Sequence, residues 1–195
     1  MHDQQIRNAM MRAARGGNEL RRGGTVMLRL PNGACGLCRA AELSDAGDIT
    51  RLSRLAGSAT LLILTAPRLS SLGRILRDGC PVATVALPVS DQNTFFDLAF
   101  GQNDHLTGSD FTIVAENAGS LADMAAQLLR SVKLIPAGLF VRLPLRDVAA
   151  QDRFARQHNM MIVESRDLDQ HNHEAASFVK IVARARVPLA VSEDS

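Results

Sequence analysis

The sequence predicts one α/β domain (α+β in its layering), a single mixed sheet covered by helices, spanning residues 1–195 with 1–18 and 188–195 as mobile tails. Three observations lead to this. Short apolar runs of strand length recur between turn residues, and segments with apolar residues at helical spacing separate them, a pattern that layers helices on a sheet. The third observation is length: 195 residues bury one good core, and splitting them would leave two marginal ones.

Residues 4–22 suit a helix, with a break expected at Gly16-Gly17. TVMLRL (25–30) is a strand between Gly23-Gly24 and the turn Pro31-Asn32-Gly33. SDAGDITRLSRLAG (44–57) is a capped helix. Ser44 or Asp45 is its N-cap, Ile49, Leu52 and Leu55 its buried stripe, and Gly57 its stop. ATLLILT (59–65) is apolar throughout, so both faces of this strand should be buried. Pro67 fits the first turn of a short helix, PRLSSLGRIL. PVATVALPV (81–89) is a further strand. Residues 90–110, around TFFDLAF, read as loop or irregular structure. DFTIVAE (110–116) is a short strand. Over 120–133 Leu121, Met124, Ala125, Leu128 and Leu129 share one helix face. AGLFVRL (137–143) is a buried strand, 148–159 a helix ended by Asn159, and MMIVES (160–165) a strand. The residues after 165 are mostly helix before the tail.

Composition restricts the function classes. Apolar residues make up 46% of the chain, but there is no Trp and no Tyr, so stacking platforms for nucleic acid are scarce. A net charge of +2 does not call for a polyanion partner. The arginines at 7, 12, 15, 21 and 22 read as a solvated helix face. The chain has no membrane-length apolar run and no signal-peptide core near its start. Three cysteines make no disulfide framework, so the expected setting is the reducing cytoplasm, with no nucleic-acid or membrane partner.

The sharpest local motif is CGLC. Cys35 and Cys38 follow a strand and precede RAAEL, which can begin a helix. A helix N-terminus favours thiolate, the geometry of a dithiol redox pair. The alternative is two small residues packed in a loop. Cys80, before Pro81 and another strand, and His105 could complete a zinc site, although the spacing fits no established pattern. His105, in GQNDHLTGSD, is the one histidine in a plausible pocket loop. His171 and His173 do not share a helix face, and His158 sits at a helix end, where a cation is favoured. No Walker or Rossmann glycine loop is present.

Four segments, in order, resemble 3,4-dihydroxy-2-butanone 4-phosphate synthase of riboflavin biosynthesis: LRRGGTVML (20–28), 40–73, IPAGLFVRL (135–143) and DRFARQHNMMIVESRDLDQH (152–171). The resemblance implies that family's fold and a homodimer with sites between subunits. It also implies conversion of ribulose 5-phosphate to a four-carbon phosphate and formate with a divalent metal, usually magnesium. Two family motifs carry that chemistry. An acidic loop, D-R-E-N-E-G-D, holds metal and moves protons; here the corresponding stretch is LPNGACGLCR (30–39), without a carboxylate. R-x-G-H-T-E opens the helix before PAG. Counted back from Pro136, its His falls on Leu121, its Thr on Ala122, its Glu on Asp123, its Gly on Ser120 and its Arg near Ala118. NTFFDLAFG and LTGSD stand where the family's substrate loops lie.

The expectation is therefore a divergent member of this fold, without the standard lyase reaction. No cofactor is expected, and magnesium would be needed only if the family activity were retained. The catalytic candidates are Cys35, Cys38, Asp110 and His105, and the ligand-binding candidates Asn32, Ser120 and Asp123. The expected partners are a second copy of the chain and a small phosphorylated or flavin-related ligand. The alternatives are a dithiol oxidoreductase using Cys35 and Cys38, or a non-catalytic homodimeric binding protein.

Overall fold

The computed structural model describes residues 2–86, 92–101 and 111–170. Seven strands form one sheet: β1 (Val26–Arg29), β2 (Cys35–Ala40), β3 (Leu61–Thr65), β4 (Val82–Ala86), β5 (Ile113–Glu116), β6 (Gly138–Leu143) and β7 (Met161–Glu164). Their order is β5-β4-β3-β6-β2-β1-β7, and every pairing is antiparallel except β1 with β7. The helices are α1 (His2–Arg21), α2 (Ala46–Ala56), α3 (Ala66–Ser71), α4 (Gln92–Phe100), α5 (Leu121–Ser131) and α6 (Val148–Gln157). Helix resumes over 165–170.

Strand alternation sorts the apolar residues into two cores. Met27, Leu37, Leu62, Leu64, Leu139 and Val141 point to one face, under α2, α3, α4 and α6. Val26, Leu28, Cys38, Ile63, Phe140 and Val163 point to the other, under α1 and α5. β3 is buried on both faces, as its unbroken apolar run requires. α2 begins with a capping box between Asp45 and Asp48 and ends at Gly57, whose φ of 66° suits glycine. Among the described residues no helix is long and apolar enough to cross a membrane.

The structure corrects four readings. α1 runs unbroken through Gly16 and Gly17. A Cβ on Gly16 would lie 2.3 Å from Val163 Cγ2, and one on Gly17 2.2 Å from Val132 Cγ1. The glycines let the helix lie close to β7 and to the end of α5, and this contact offsets a helix-propensity penalty of about 1 kcal/mol each. Residues 2–18, expected as a tail, are thus part of the packed helix; Ala9 and Ala13 are buried and Arg12 bonds the buried Asp167 at 3.0 and 2.6 Å. The tail at 188–195 lies outside the described residues.

TFFDLAF belongs to α4, not to a loop. Phe95, Leu98 and Ala99 stand at helical spacing and are buried against the sheet. Arg68 fixes the helix end by donating to the carbonyls of Asp97 (2.6 Å), Leu98 (2.8 Å) and Gly101 (2.7 Å). The fourth correction is β2. Residues 35–40 carry two cysteines and a glycine and lack a strand-like signature, yet they pair on both sides, with β1 and β6. The turn between β1 and β2 is closed by Leu30 N–H to Ala34 O (2.9 Å) and Gly33 N–H to Leu30 O (3.0 Å), with Gly33 at φ 81°.

The α5 face carries an ion pair between strands that are not neighbours. Arg142 on β6 pairs with Glu116 on β5, although β3 and β4 lie between those strands. Gly36 makes room for the Phe140 ring at the centre of this face. A Cβ there would stand 2.6 Å from Val141 O and 2.9 Å from Phe140 Cε2. Gly36→Ala should therefore lower the unfolding free energy by about 1–3 kcal/mol, or more if the backbone must shift. This is despite alanine's lower unfolded-state entropy. Urea unfolding that finds the variant as stable as the parent would refute this account of β2.

Candidate functional site

The β1–β2 turn is set by its own residues and by α6. Asn32 Oδ1 accepts from Ala34 N–H at 3.0 Å, the local bond that makes asparagine a turn former. Gln151, fully buried on α6, donates from Nε2 to Gly33 O (2.8 Å) and Leu145 O (2.9 Å). Its Oε1 has no partner among the described residues. Nearby, Arg29 binds Asp152 (2.8 Å) and Glu164 (2.7 Å), and Arg166 binds Glu164 (2.5 Å). Burial acts to lower the Arg29 pKa, but its bonds to Glu164 and Asp152 outweigh this and raise it.

The N-terminus of α5 approaches the same end of the sheet. Ser120 is its N-cap and accepts from Asp123 N–H at 3.2 Å. Asp123 reaches back: its Oδ2 accepts from Gly119 N–H (2.8 Å) and from Gln127 Nε2 (2.9 Å). Its side chain is buried and its charge sits where the helix dipole favours an anion. Leu121 and Ala122 are buried in the α5 core, and Ala118 is exposed.

A cleft of about 350 Å³ lies where these parts meet. Leu30, Pro31 and Asn32 line one side, Gly119, Met124 and Gln127 a second, and Ser165, Leu168 and Asp169 a third. A second cleft of about 230 Å³ shares Leu30, Pro31 and Ser165 and adds Arg29, Glu164 and Arg166. Together they wrap the turn with an apolar floor and a few polar groups, the usual character of a small-molecule site. Of the ligand candidates, Asn32 lines the first cleft and Ser120 and Asp123 cap the helix beside it. Asp123 also lines a neighbouring hollow with Arg130 and Ser131. Asp110 and His105 lie outside the described residues.

These residues do not fit magnesium. A hard cation wants several oxygen ligands, carboxylates among them. The turn offers Pro31, Asn32 and Gly33, Leu121 is an aliphatic side chain, and the Asp123 carboxylate already accepts two hydrogen bonds. Among the described residues no three His, Cys, Asp or Glu side chains converge as a metal site.

The structure also overturns the dithiol reading. Cys35 and Cys38 stand within β2, not between a strand and a helix, and a three-residue offset on a strand points them to opposite faces. Their Cα atoms are then roughly 10 Å apart, beyond the span of a disulfide. Cys35 donates to Leu145 O at 3.3 Å. Burial raises its pKa, opposed by that bond and by Arg29. Burial alone pushes Cys38 up to about 12. Cys80 lies two residues before β4, three strand spacings from β2 in the sheet order, and contacts Arg77 (3.3 Å) and Asn117 (3.5 Å). A site joining it to Cys35 or Cys38 is ruled out by that separation.

Gln151, Gln127, Ser165, Asp169 and the Arg29 cluster were missed by sequence reasoning. The fold brings them to one place from distant parts of the chain: Arg29 and Glu164, for example, are 135 residues apart.

No protein-family profile matches the chain. A curated relative, GTP cyclohydrolase-2 of Azospirillum brasilense, is 28% identical over 196 residues, covering 96% of this chain and 49% of the relative. The chain thus spans about half the length of that relative. Solved structures share the fold. A two-domain 3,4-dihydroxy-2-butanone 4-phosphate synthase from A. baumannii matches with a TM-score of 0.63 at 16% identity, over 80% of this chain and 56% of that one. A cation-free 3,4-dihydroxy-2-butanone 4-phosphate synthase matches with a TM-score of 0.65 at 14% identity, over 84% and 97%. The fold is that of these synthases, as the ordered segments and the mixed sheet led us to expect.

The cysteine geometry predicts that Cys35 and Cys38 resist iodoacetamide at pH 8 in the native protein and react once it is denatured. The stability contribution has a sign. The folded Cys38 pKa is raised from 9.0 to about 12, so the fold loses stability as pH rises through that window, where only the unfolded chain ionises. Urea unfolding at pH 7 and pH 10.5 checks this: Cys38→Ala should flatten the loss, and an equal loss in the variant would refute it.

Proposed function

We propose that this chain is a divergent synthase-like protein of the riboflavin pathway that does not carry out the metal-dependent cleavage of ribulose 5-phosphate. The carrying observation is the start of α5. The position matching the family's metal-binding histidine is Leu121, 6% exposed and packed in the core, so the backbone there presents no ligand to the cleft. The turn supports the same reading. Where the family's acidic loop stands, this chain has a tight hairpin running directly into a paired strand. An enolisation and cleavage of a sugar phosphate needs a polarising cation and positioned acids and bases. The cleft instead suits binding. A small phosphorylated or flavin-related ligand would lie between Asn32, Gln127 and Asp169, with Arg166 at the rim of the adjoining cleft as the cation a phosphate would meet.

The protein would act as a binding partner of its pathway. The activity of the longer relative, whose name denotes a GTP cyclohydrolase, is not needed for this reading. We further propose that it works as a twofold homodimer, one patch meeting itself, in keeping with the resemblance.

The test is formate release from ribulose 5-phosphate with magnesium, with and without chelator. The expected result is no formate above the uncatalysed level. Chelator-sensitive formate production at an ordinary enzymatic rate would overturn the proposal. Light scattering at micromolar concentration should give twice the chain mass, and monomer mass alone would remove the dimer.

A further inference from the structure

A second site lies at the other end of β1, roughly 16 Å along the strand from the turn just described. It is a polar pocket of about 280 Å³. Three guanidinium groups line it, those of Arg22, Arg39 and Arg51, together with the imidazole of His158, the hydroxyl-bearing Thr25 and one carboxylate, Glu19. They come from the end of α1, the start of β1, the end of β2, α2 and the end of α6, so only the tertiary fold assembles them.

The cations are not equivalent. Arg39 is fixed in place, donating to Ser44 Oγ (3.1 Å) and Leu43 O (3.1 Å) and paired with Asp48 at 2.9 Å. Arg22 and Arg51 are exposed and have no ion pair among the described residues. Thr25 is 7% exposed, and its hydroxyl makes no hydrogen bond among the described residues. Asp48 offsets Arg39 and Glu19 offsets one more charge, which leaves an excess of positive charge in a concave, polar space. Thr25 lines the same space and adds a neutral hydroxyl donor beside the cations.

We propose that this pocket binds the phosphate group of a small phosphorylated metabolite. A tetrahedral dianion can accept from two guanidinium forks and a hydroxyl at once, and Arg is the residue suited to that bidentate geometry. Arg22 and Arg51 supply the forks, Thr25 the neutral donor, and Arg39 a fixed positive wall. This site is independent of the cleft at the β1–β2 turn and of its assigned role.

The experiment is calorimetric titration of the full chain with inorganic phosphate at constant ionic strength, with chloride as the balancing anion. The expected result is saturable binding with a component that depends on Arg22 and Arg51. The double variant Arg22→Gln/Arg51→Gln should weaken it at least about tenfold, and Thr25→Val should weaken it several-fold. Both arginines are exposed, so the double variant should melt like the parent. Arg54→Gln, which removes a charge from the same helix outside the pocket, should leave binding unchanged, and Arg166→Gln, in the cleft at the other end of the sheet, should leave the Arg22- and Arg51-dependent component unchanged. Absence of saturable phosphate binding would overturn the proposal. So would an equal loss in Arg54→Gln, which would indicate bulk charge, or loss in Arg166→Gln with binding intact in the double variant, which would place the phosphate in the other cleft.

Discussion

The packing of α5 into one face of the sheet is the constraint on which the rest depends. Eight of its eleven residues are buried, Leu121 and Ala122 at its first turn among them. A helix sunk this deeply has few side chains to spare at its start. The polar residues there, Ser120 and Asp123, are occupied with closing the helix itself. The side chains of this turn serve as core and cap.

The β1–β2 hairpin is the complementary case. A long acidic loop keeps carboxylates in solvent and free to ligate. A tight turn closed by backbone bonds, with Gln151 locking it from α6, leaves no backbone slack for that. The turn and the start of α5 border one cleft. The result is a small pocket with an apolar floor, bordered by the Arg29, Asp152, Glu164 and Arg166 charges.

Glycine has a consistent use in this chain. Gly16 and Gly17 cost helix propensity and Gly36 costs strand propensity, yet each lies where a side chain or backbone passes within van der Waals distance of a missing Cβ. Read locally, these residues signal a break or a loop, and both readings failed for the same reason. The compensating contact is with Val163, Val132 or Phe140, none of them near in sequence.

Sequence alone determined the elements whose cause is local. The capping box and Gly57 stop of α2, the apolar run of β3, the amphipathic stripe of α5 and the Ser120 cap are each written within a dozen residues. So was the absence of carboxylates from residues 30–39 and the presence of leucine at 121, which are matters of residue identity. Tertiary structure decided what depends on partners elsewhere. CGLC is a strand because β1 and β6 satisfy its backbone on both sides, and that pairing sends its two thiols to opposite cores. TFFDLAF is a helix because the sheet buries one side and Arg68, some thirty residues earlier, holds its carbonyls. The arginine pocket needs five separate elements, brought together only when the sheet forms. Hydrogen bonding and burial across the fold, rather than local propensity, made these choices, because unpaired backbone and exposed apolar surface cost more than a residue's intrinsic preference.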